Sequence, residues 1–383
     1  MKRSGRLNMK KDGVQEKRAF RGQQCLLRVA GAIVCAAGQA AMGFGNGPHG
    51  DVAGRSINNY LVWVNQDNDG RVGEIVSAYS AQIVAGSQQE DGGGRQLNHF
   101  WDPDTGEGLT FLGITGIPAL DYAQGFYEDA LSAYEKEQYS EGFDTGAYHY
   151  LGRVIHLIGD MSVPAHVLLD EHVSGDTYEA YMQNAANYQG IPATGIETGD
   201  LEHLMRYVAE TADDYNSDDM LGEIPGLVPL PLDDTERGMI AGATYPLAIR
   251  AAAGVLRNFY EDVQPVAEID IPAQGALTSG LVSGENHGVH FEVFAHSYNG
   301  TFHIDAVDLD YSEEVFTYGW SDITDLAGLS DSATYLYDWE NSLNGEMIWL
   351  KIQGEDTGGC RSVVHTRSIR IDSTRPTISN ATY

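Results

Sequence analysis

With 55 acidic against 23 basic residues in 383, the chain carries a formal net charge of −32, which repels polyanions and leaves no basic footprint for duplex nucleic acid. The length allows two domains. Of the three cysteines, Cys25 and Cys35 lie close to the N-terminus and would leave with a cleaved leader, so that Cys360 would remain as a lone thiol with no intramolecular disulfide.

Residues 1–41 have the layout of a bacterial secretory signal peptide. A basic stretch (Lys10, Lys11, Lys17, Arg18, Arg21) precedes the apolar run VAGAIVCAAGQAA, which ends in small residues and is too short to span a bilayer. Cleavage after Ala40 or Ala41, with Gly43 as an alternative, predicts a mature protein that is secreted, periplasmic or held at the cell surface. It would keep 14 basic against 53 acidic residues, a charge near −39.

His49 stands just ahead of a predicted amphipathic helix marked by Ile57, Leu61, Val62 and Val64. The run from Asn65 to Val72 imitates the opening of an EF-hand loop, but Val76 occupies the position that needs glutamate. A turn rich in Asn, Asp and Gly explains the same letters, so Ca2+ ranks as a secondary option. Next, AGSQQEDGGGRQLNHFWDPDTG (85–106) places Glu90, Asp91 and His99 among glycines that permit irregular backbone.

The densest pattern is HYLGRVIHLIGDMSVPAHVLLDEH (149–172), which contains H-x3-D-x5-H: His156, Asp160 and His166. On a helix His156 and Asp160 stand one turn apart on one face and can share a cation. Pro164 disfavours helix at the residue before it, so the chain should turn near Val163 and bring His166 back. His172 and the carboxylates of Glu171, Asp176 and Glu179 follow. Mixed His and carboxylate donors suit zinc or a similar borderline ion, whereas calcium or magnesium call for oxygen alone.

Helical periodicity predicts further helices over 145–161, 178–187, 200–214 and 237–262. After Gln264-Pro265 the character changes: VHFEVFAHS, FHIDAVDLDY, MIWLKIQGED and SVVHTRSIRID alternate apolar and polar residues between Gly/Asn/Ser/Asp clusters, the rhythm of a β-sandwich.

HFWDPDTG (99–106) and HLIGDMSVPAH (156–166), in that order along the chain, resemble two motifs of the zinc-dependent phospholipase C family, which shares its helical fold with the fungal single-strand-specific nucleases. The resemblance covers roughly residues 45–263. It implies an all-α catalytic domain at 42–263 and two or three Zn2+ ions. His99, His156 and Asp91 would hold the first ion, with Asp160 bridging and Glu90 competing with Asp91. His166, His172 and Glu179 would hold the second, with Asp176 or Glu171 as alternatives. His49 would join the third. The stretch ATYLYDWENSLNGEMIWLKIQGEDTGG followed by RIDSTRPTI resembles a bacterial immunoglobulin-like module, implying a β-sandwich domain over 266–383.

The resemblance therefore implies a secreted zinc phosphodiesterase of the phospholipase C type, acting on phosphatidylcholine-like phospholipid at a membrane surface, with Asp91 and Asp160 as catalytic carboxylates. Two alternatives keep or discard the metal site. A single-strand nuclease or nucleotidase would need aromatic platforms for bases, for which Phe100 and Trp101 are candidates. A catalytically inactive surface-binding protein would have no physical need for so many ligands.

Overall fold

The computed structural model describes residues 46–67, 74–91, 95–140, 145–170, 176–217, 232–271, 276–278, 288–296, 304–312, 321–327, 333–338, 347–356, 360, 362 and 365–371. The leader expected at 1–41, the end of the Asn65–Val72 run, Glu171 and His172 lie outside these residues.

Three of the helices begin where the sequence offers a side-chain acceptor. Asp176, Asp200 and Asp233 cap the helices that follow by accepting backbone N–H groups of Glu179, His203, and Thr235 with Glu236. Asp233 and Glu236 complete a reciprocal capping box. The helical part runs α1 (Asn46–Asp67), α2 (Glu74–Ala78), α3 (Ser80–Gln89), α4 (Ala119–Glu135), α5 (Ala147–Asp160), α6 (Pro164–Val167), α7 (Thr177–Met182), α8 (Leu201–Asp213) and α9 (Asp234–Val263). A two-residue-per-strand hairpin, β1 (Thr110–Phe111) and β2 (Ile114–Thr115), precedes α4. The helix expected over 178–187 is shorter, because Asn184 accepts the N–H of Ala186 and starts a 3₁₀ turn at Ala185–Asn187. The last helix starts earlier than its periodicity indicates, because the capping box sets its first turn.

α5 is the centre of this part. Every residue of it except Tyr150 is buried, and α1, α3, α4 and α9 pack around it. Against α3 the approach is backbone to backbone: a Cβ on Gly86 would overlap the carbonyl of His149, and one on Gly152 would overlap that of Ile83. α9 is long and apolar enough to cross a membrane, yet its apolar residues from Ile240 to Val263 are core residues here.

The C-terminal part consists of strands, as the alternation predicts: β3 (Val266–Ile271), β4 (Ala276–Thr278), β5 (Gly288–His296), β6 (Ile304–Ser312), β7 (Ser321–Ala327), β8 (Ala333–Asp338), β9 (Met347–Asp356) and β10 (His365–Ile371). They form one sheet in the order β4-β10-β9-β6-β7 and another in the order β3-β5-β8. Neighbours are antiparallel except β4, which runs parallel to β10. β3 lies near β9 and β10, and β5 near β6. The end of β9 docks on the helices. The Asp356 N–H donates to the Cys360 carbonyl, the Cys360 N–H donates to Asp356 Oδ1, and the buried Tyr134 hydroxyl donates to Asp356 Oδ2 at 2.8 Å. Cys360 packs beside Tyr60, Tyr148, Phe259 and Tyr260.

The glycine contact yields a contrast that calorimetry can check. Gly152→Ala should destabilise the protein by about 1–3 kcal/mol, because the methyl group has only main chain to displace. Gly242→Ala, on α9 with nothing within 4 Å of the new carbon, should be neutral or stabilise by about 0.5–1 kcal/mol. Equal effects at the two positions would refute the close-approach account.

Candidate metal centre

The turn that the sequence predicts after Asp160 is present. Met161 ends α5, Val163 adopts an extended conformation, and Pro164 opens α6 at its first position. This reversal returns His166 toward the C-terminal end of α5. The Thr244 hydroxyl on α9 donates to the Ser162 carbonyl at 2.9 Å and holds the turn from behind. The 99–106 segment joins through the Trp101 N–H, which donates to the His166 carbonyl at 3.1 Å.

Asp160 is the hub. Its side chain is fully buried, and four imidazoles converge on it: His49 Nε2 at 3.4 Å and His166 Nδ1 at 3.7 Å from Oδ1, His99 Nδ1 at 3.0 Å and His156 Nε2 at 3.2 Å from Oδ2. Asp91 Oδ1 stands 3.6 Å from His99 Nδ1 and 3.5 Å from His156 Nε2. On the far side, His166 Nε2 lies 3.2 Å from Glu179 Oε1. Donor atoms of His49, His156 and Asp160 all lie within 4.8 Å of one another, as do those of Asp91, His99 and His156.

Four of the ligand candidates are held by a neighbouring group. The Ser87 carbonyl, brought close by the α3–α5 glycines, stands 2.6 Å from His156 Nδ1. A carbonyl can only accept, so Nδ1 carries the proton and Nε2 faces Asp91 and Asp160, as a metal-ligating histidine is typically arranged. His49 stacks on His156 with ring centroids 3.7 Å apart. It sits over Gly159, where a Cβ would come within 2.9 Å of its Nδ1. Phe100 stacks on His166 at 4.6 Å. Asp176 accepts the Glu179 N–H at 2.8 Å as the cap of α7, which leaves Glu179 as the carboxylate facing His166.

Burial alone would push the Asp160 carboxyl up, but the imidazoles of His156, His166 and His99 hold it well below the usual range. Asp91 is likewise opposed by burial and brought down to about 2 by His156, His49 and His99. His156 shows the reciprocal effect: burial works against its charge, yet Asp160 and Asp91 raise it well above the ordinary imidazole value. The two carboxylates thus hold positive charge between them. His49 is lowered by burial and by His156, and burial brings His166 down to about 4, so both favour the neutral form that ligates metals. Asp91 Oδ1 and both Asp160 oxygens are buried, and among the described residues none of them makes a well-formed hydrogen bond. Buried oxygens normally do. Several nitrogens converging on buried carboxylate oxygens that lack well-formed hydrogen bonds is donor chemistry suited to a cation such as zinc.

Glu90, the sequence competitor of Asp91, points elsewhere. Arg95 Nε and Arg153 Nε lie 3.0 and 3.3 Å from its two oxygens, and its charge adds to burial in raising the nearby Tyr122 hydroxyl above its ordinary range. Burial pushes its carboxyl up, and the arginines only partly pull it back. Phe100 and Trp101, read from sequence as candidate base platforms, are 5% and 2% exposed and belong to the interior. Trp101 lies under the Arg206 guanidinium, 5.2 Å from its ring centre. Sequence reasoning did not single out Ser87, Gly159 or Arg153. The glycine one turn before His156 (Gly152) was the available signal, since a glycine inside a helix often marks a close approach.

No protein-family model matches the chain, and no curated protein matches it. Among solved structures it is similar to the alpha toxin of Clostridium absonum, at 13% identity and a TM-score of 0.42 over 85% of this chain and 96% of that one. It is also similar to the alpha-toxin of an avian strain of Clostridium perfringens, at 18% identity and a TM-score of 0.40 over 85% and 98%. Likeness at this level decides nothing about activity, which must follow from the atoms of the site.

The divergence of Glu90 from Asp91 separates two roles experimentally. Asp91→Asn should lower metal retention about 10- to 100-fold, judged by the effect typical of altered ligand shells, with little change in the thermal midpoint of the metal-free protein. Glu90→Ala should instead cost about 3–5 kcal/mol, as expected for stranding a buried ion-pair partner. Metal titration and calorimetry of both variants check this, and an inverted pattern would exchange the assignments.

Proposed function

We propose that the protein is an exported zinc phosphodiesterase of the phospholipase C type. The observation that carries this reading is the convergence of His49, His99, His156 and His166 on one buried carboxylate, Asp160, with Asp91 and Glu179 at the two sides. His99, His156 and Asp91 would hold one ion and His166 with Glu179 another, with His172 as a further ligand. Asp160 is central to both sets, and His49 approaches it from α1. When bound, zinc supplies Lewis-acid stabilisation of a phosphoryl group and water acidified toward neutrality.

The chain's own residues divide the remaining work. Asp160, with no exposure, keeps a fixed negative charge at the base of the site. Asp91 is 23% exposed at its side chain and is the carboxylate that reaches the mouth. Held ionised by its neighbours, it is suited to accept a hydrogen bond from a water and orient it. The Ser87 carbonyl and the Phe100 ring fix the two imidazoles they touch, so the ligands need little reorganisation as charge develops.

Lipid is favoured over nucleic acid by the burial of Phe100 and Trp101, which removes them as stacking platforms, and by the acidity of the chain. We further propose that residues 266–383 are an immunoglobulin-like module. The orders β3-β5-β8 and β10-β9-β6-β7 follow the A-B-E and G-F-C-C′ strand orders of that fold. The short β4, parallel to β10, extends the second sheet from the first-strand side.

Metal analysis of the purified protein should find two or three zinc ions; a stoichiometry below one would remove the basis of this reading. Asp160→Asn should reduce phosphodiesterase activity by several orders of magnitude, since an amide cannot supply the central charge; activity within about tenfold of wild type would refute the central role. In one zinc-containing buffer, phosphatidylcholine should be cleaved to diacylglycerol and a phosphorylated headgroup faster than single-stranded DNA is cut, and the reverse order would transfer the assignment to a nuclease.

A further inference from the structure

Residues 108–120, GLTFLGITGIPAL, carry no charge although the chain is strongly acidic, and Glu107 and Asp121 bracket them. This segment folds as the β1–β2 hairpin, with Thr110 opposite Thr115 and Phe111 opposite Ile114. Its apex is the pair Leu112-Gly113, with φ values of 49° and 77°. Two positive φ angles in a two-residue hairpin turn are the requirement for which Asn-Gly and Asp-Gly are preferred. Leucine is a poor choice on conformational grounds, and its side chain is also 82% exposed, the highest value among the exposed large hydrophobic residues Val62, Leu112, Met239 and Met347. Phe111 and Ile114 lie half-buried directly below it. The Thr110 and Thr115 hydroxyls bond each other at 2.8 Å, so the polar groups at the base already have partners.

The hairpin is rigidly tied to the metal centre. The Ile117 N–H donates to Asn98 Oδ1 at 2.8 Å and the Ala119 N–H to the Phe100 carbonyl at 3.0 Å. These two bonds flank His99. A Cβ at Gly116 would overlap the Leu97 carbonyl, so the stem has no slack there.

We propose that the Leu112 apex is a membrane wedge that inserts into the interfacial layer of a zwitterionic bilayer and sets the mouth of the metal centre against it. This rests on the phospholipid reading above. A convex, uncharged two-residue apex offers a protein neither a groove nor a sheet edge. A chain of net charge −32 has no electrostatic hold on an anionic surface, which leaves apolar insertion as its means of attachment. Burying one leucine is worth about a tenfold or greater change in partition.

Leu112→Asn creates the preferred Asn-Gly turn while removing the apolar side chain, so it separates folding from attachment. Its thermal midpoint should equal or exceed wild type, and turnover of a water-soluble phosphocholine diester should be unchanged. Its affinity for vesicles of a non-hydrolysable phosphonate analogue of phosphatidylcholine, measured by co-sedimentation, should fall about tenfold. Leu112→Trp should show a blue shift of added tryptophan emission on mixing with the same vesicles. Vesicle affinity of Leu112→Asn within twofold of wild type would overturn the proposal. So would a Leu112→Trp shift that follows protein concentration without lipid, which would mark the apex as a self-association contact. If the soluble diester is not hydrolysed by wild type, the phospholipase reading fails, whereas the vesicle measurements still decide the wedge.

Discussion

A carboxylate cannot be carried into a protein interior as an anion unless something compensates it, and Asp160 imposes that constraint on the whole helical part. Four histidines on four separate segments, α1, the 96–99 turn region, α5 and α6, are brought within 3.7 Å of its two oxygens. The placement of those segments follows from it. The α3–α5 glycine contact sets Ser87 behind His156, Gly159 leaves room for His49, and the Pro164 turn returns His166.

Adjacent residues with the same chemistry reach opposite outcomes here. Asp91 is compensated by imidazoles, and its carboxyl is lowered to about 2. Glu90 turns the other way into a pair of guanidiniums, and burial still dominates its carboxyl. The Glu90 network anchors the end of α3 by side chains from α5 and the 95–98 segment, so the neighbouring Asp91 is held at the mouth without itself being locked in a salt bridge to arginine. Separating support from reactivity in this way suits a site whose geometry must be ready before substrate arrives.

The β module is joined to the helices through the end of β9 rather than through the peptide linker alone. Asp356 is buried, accepts from Tyr134 and closes a tight turn with Cys360. Burial and the nearby Cys360 and Asp356 raise the Tyr134 hydroxyl well above its ordinary range, which favours its protonated form, the form that donates to Asp356. One end of the module is thereby committed to contact within the chain.

The sequence alone determined the helical character of the N-terminal part, the strand character after Gln264, and the ligand pattern His156, Asp160 and His166, because these rest on local periodicity, on proline at a helix start and on residue types whose burial needs a reason. It preferred Asp91 only by resemblance and left Glu90 as a competitor, because spacing says nothing of which way two successive side chains of a loop will face. It also left Phe100 and Trp101 as candidate surface platforms, because an aromatic residue beside a ligand reads the same whether it stacks on a base or on His166. Those choices depended on contacts between residues far apart in the chain: the glycine-mediated approach of α3 to α5, the two arginines that claim Glu90, and the return of the 99–106 segment onto α6. Only the tertiary structure supplies such contacts, since each is decided by which buried charge finds compensation once the helices have packed.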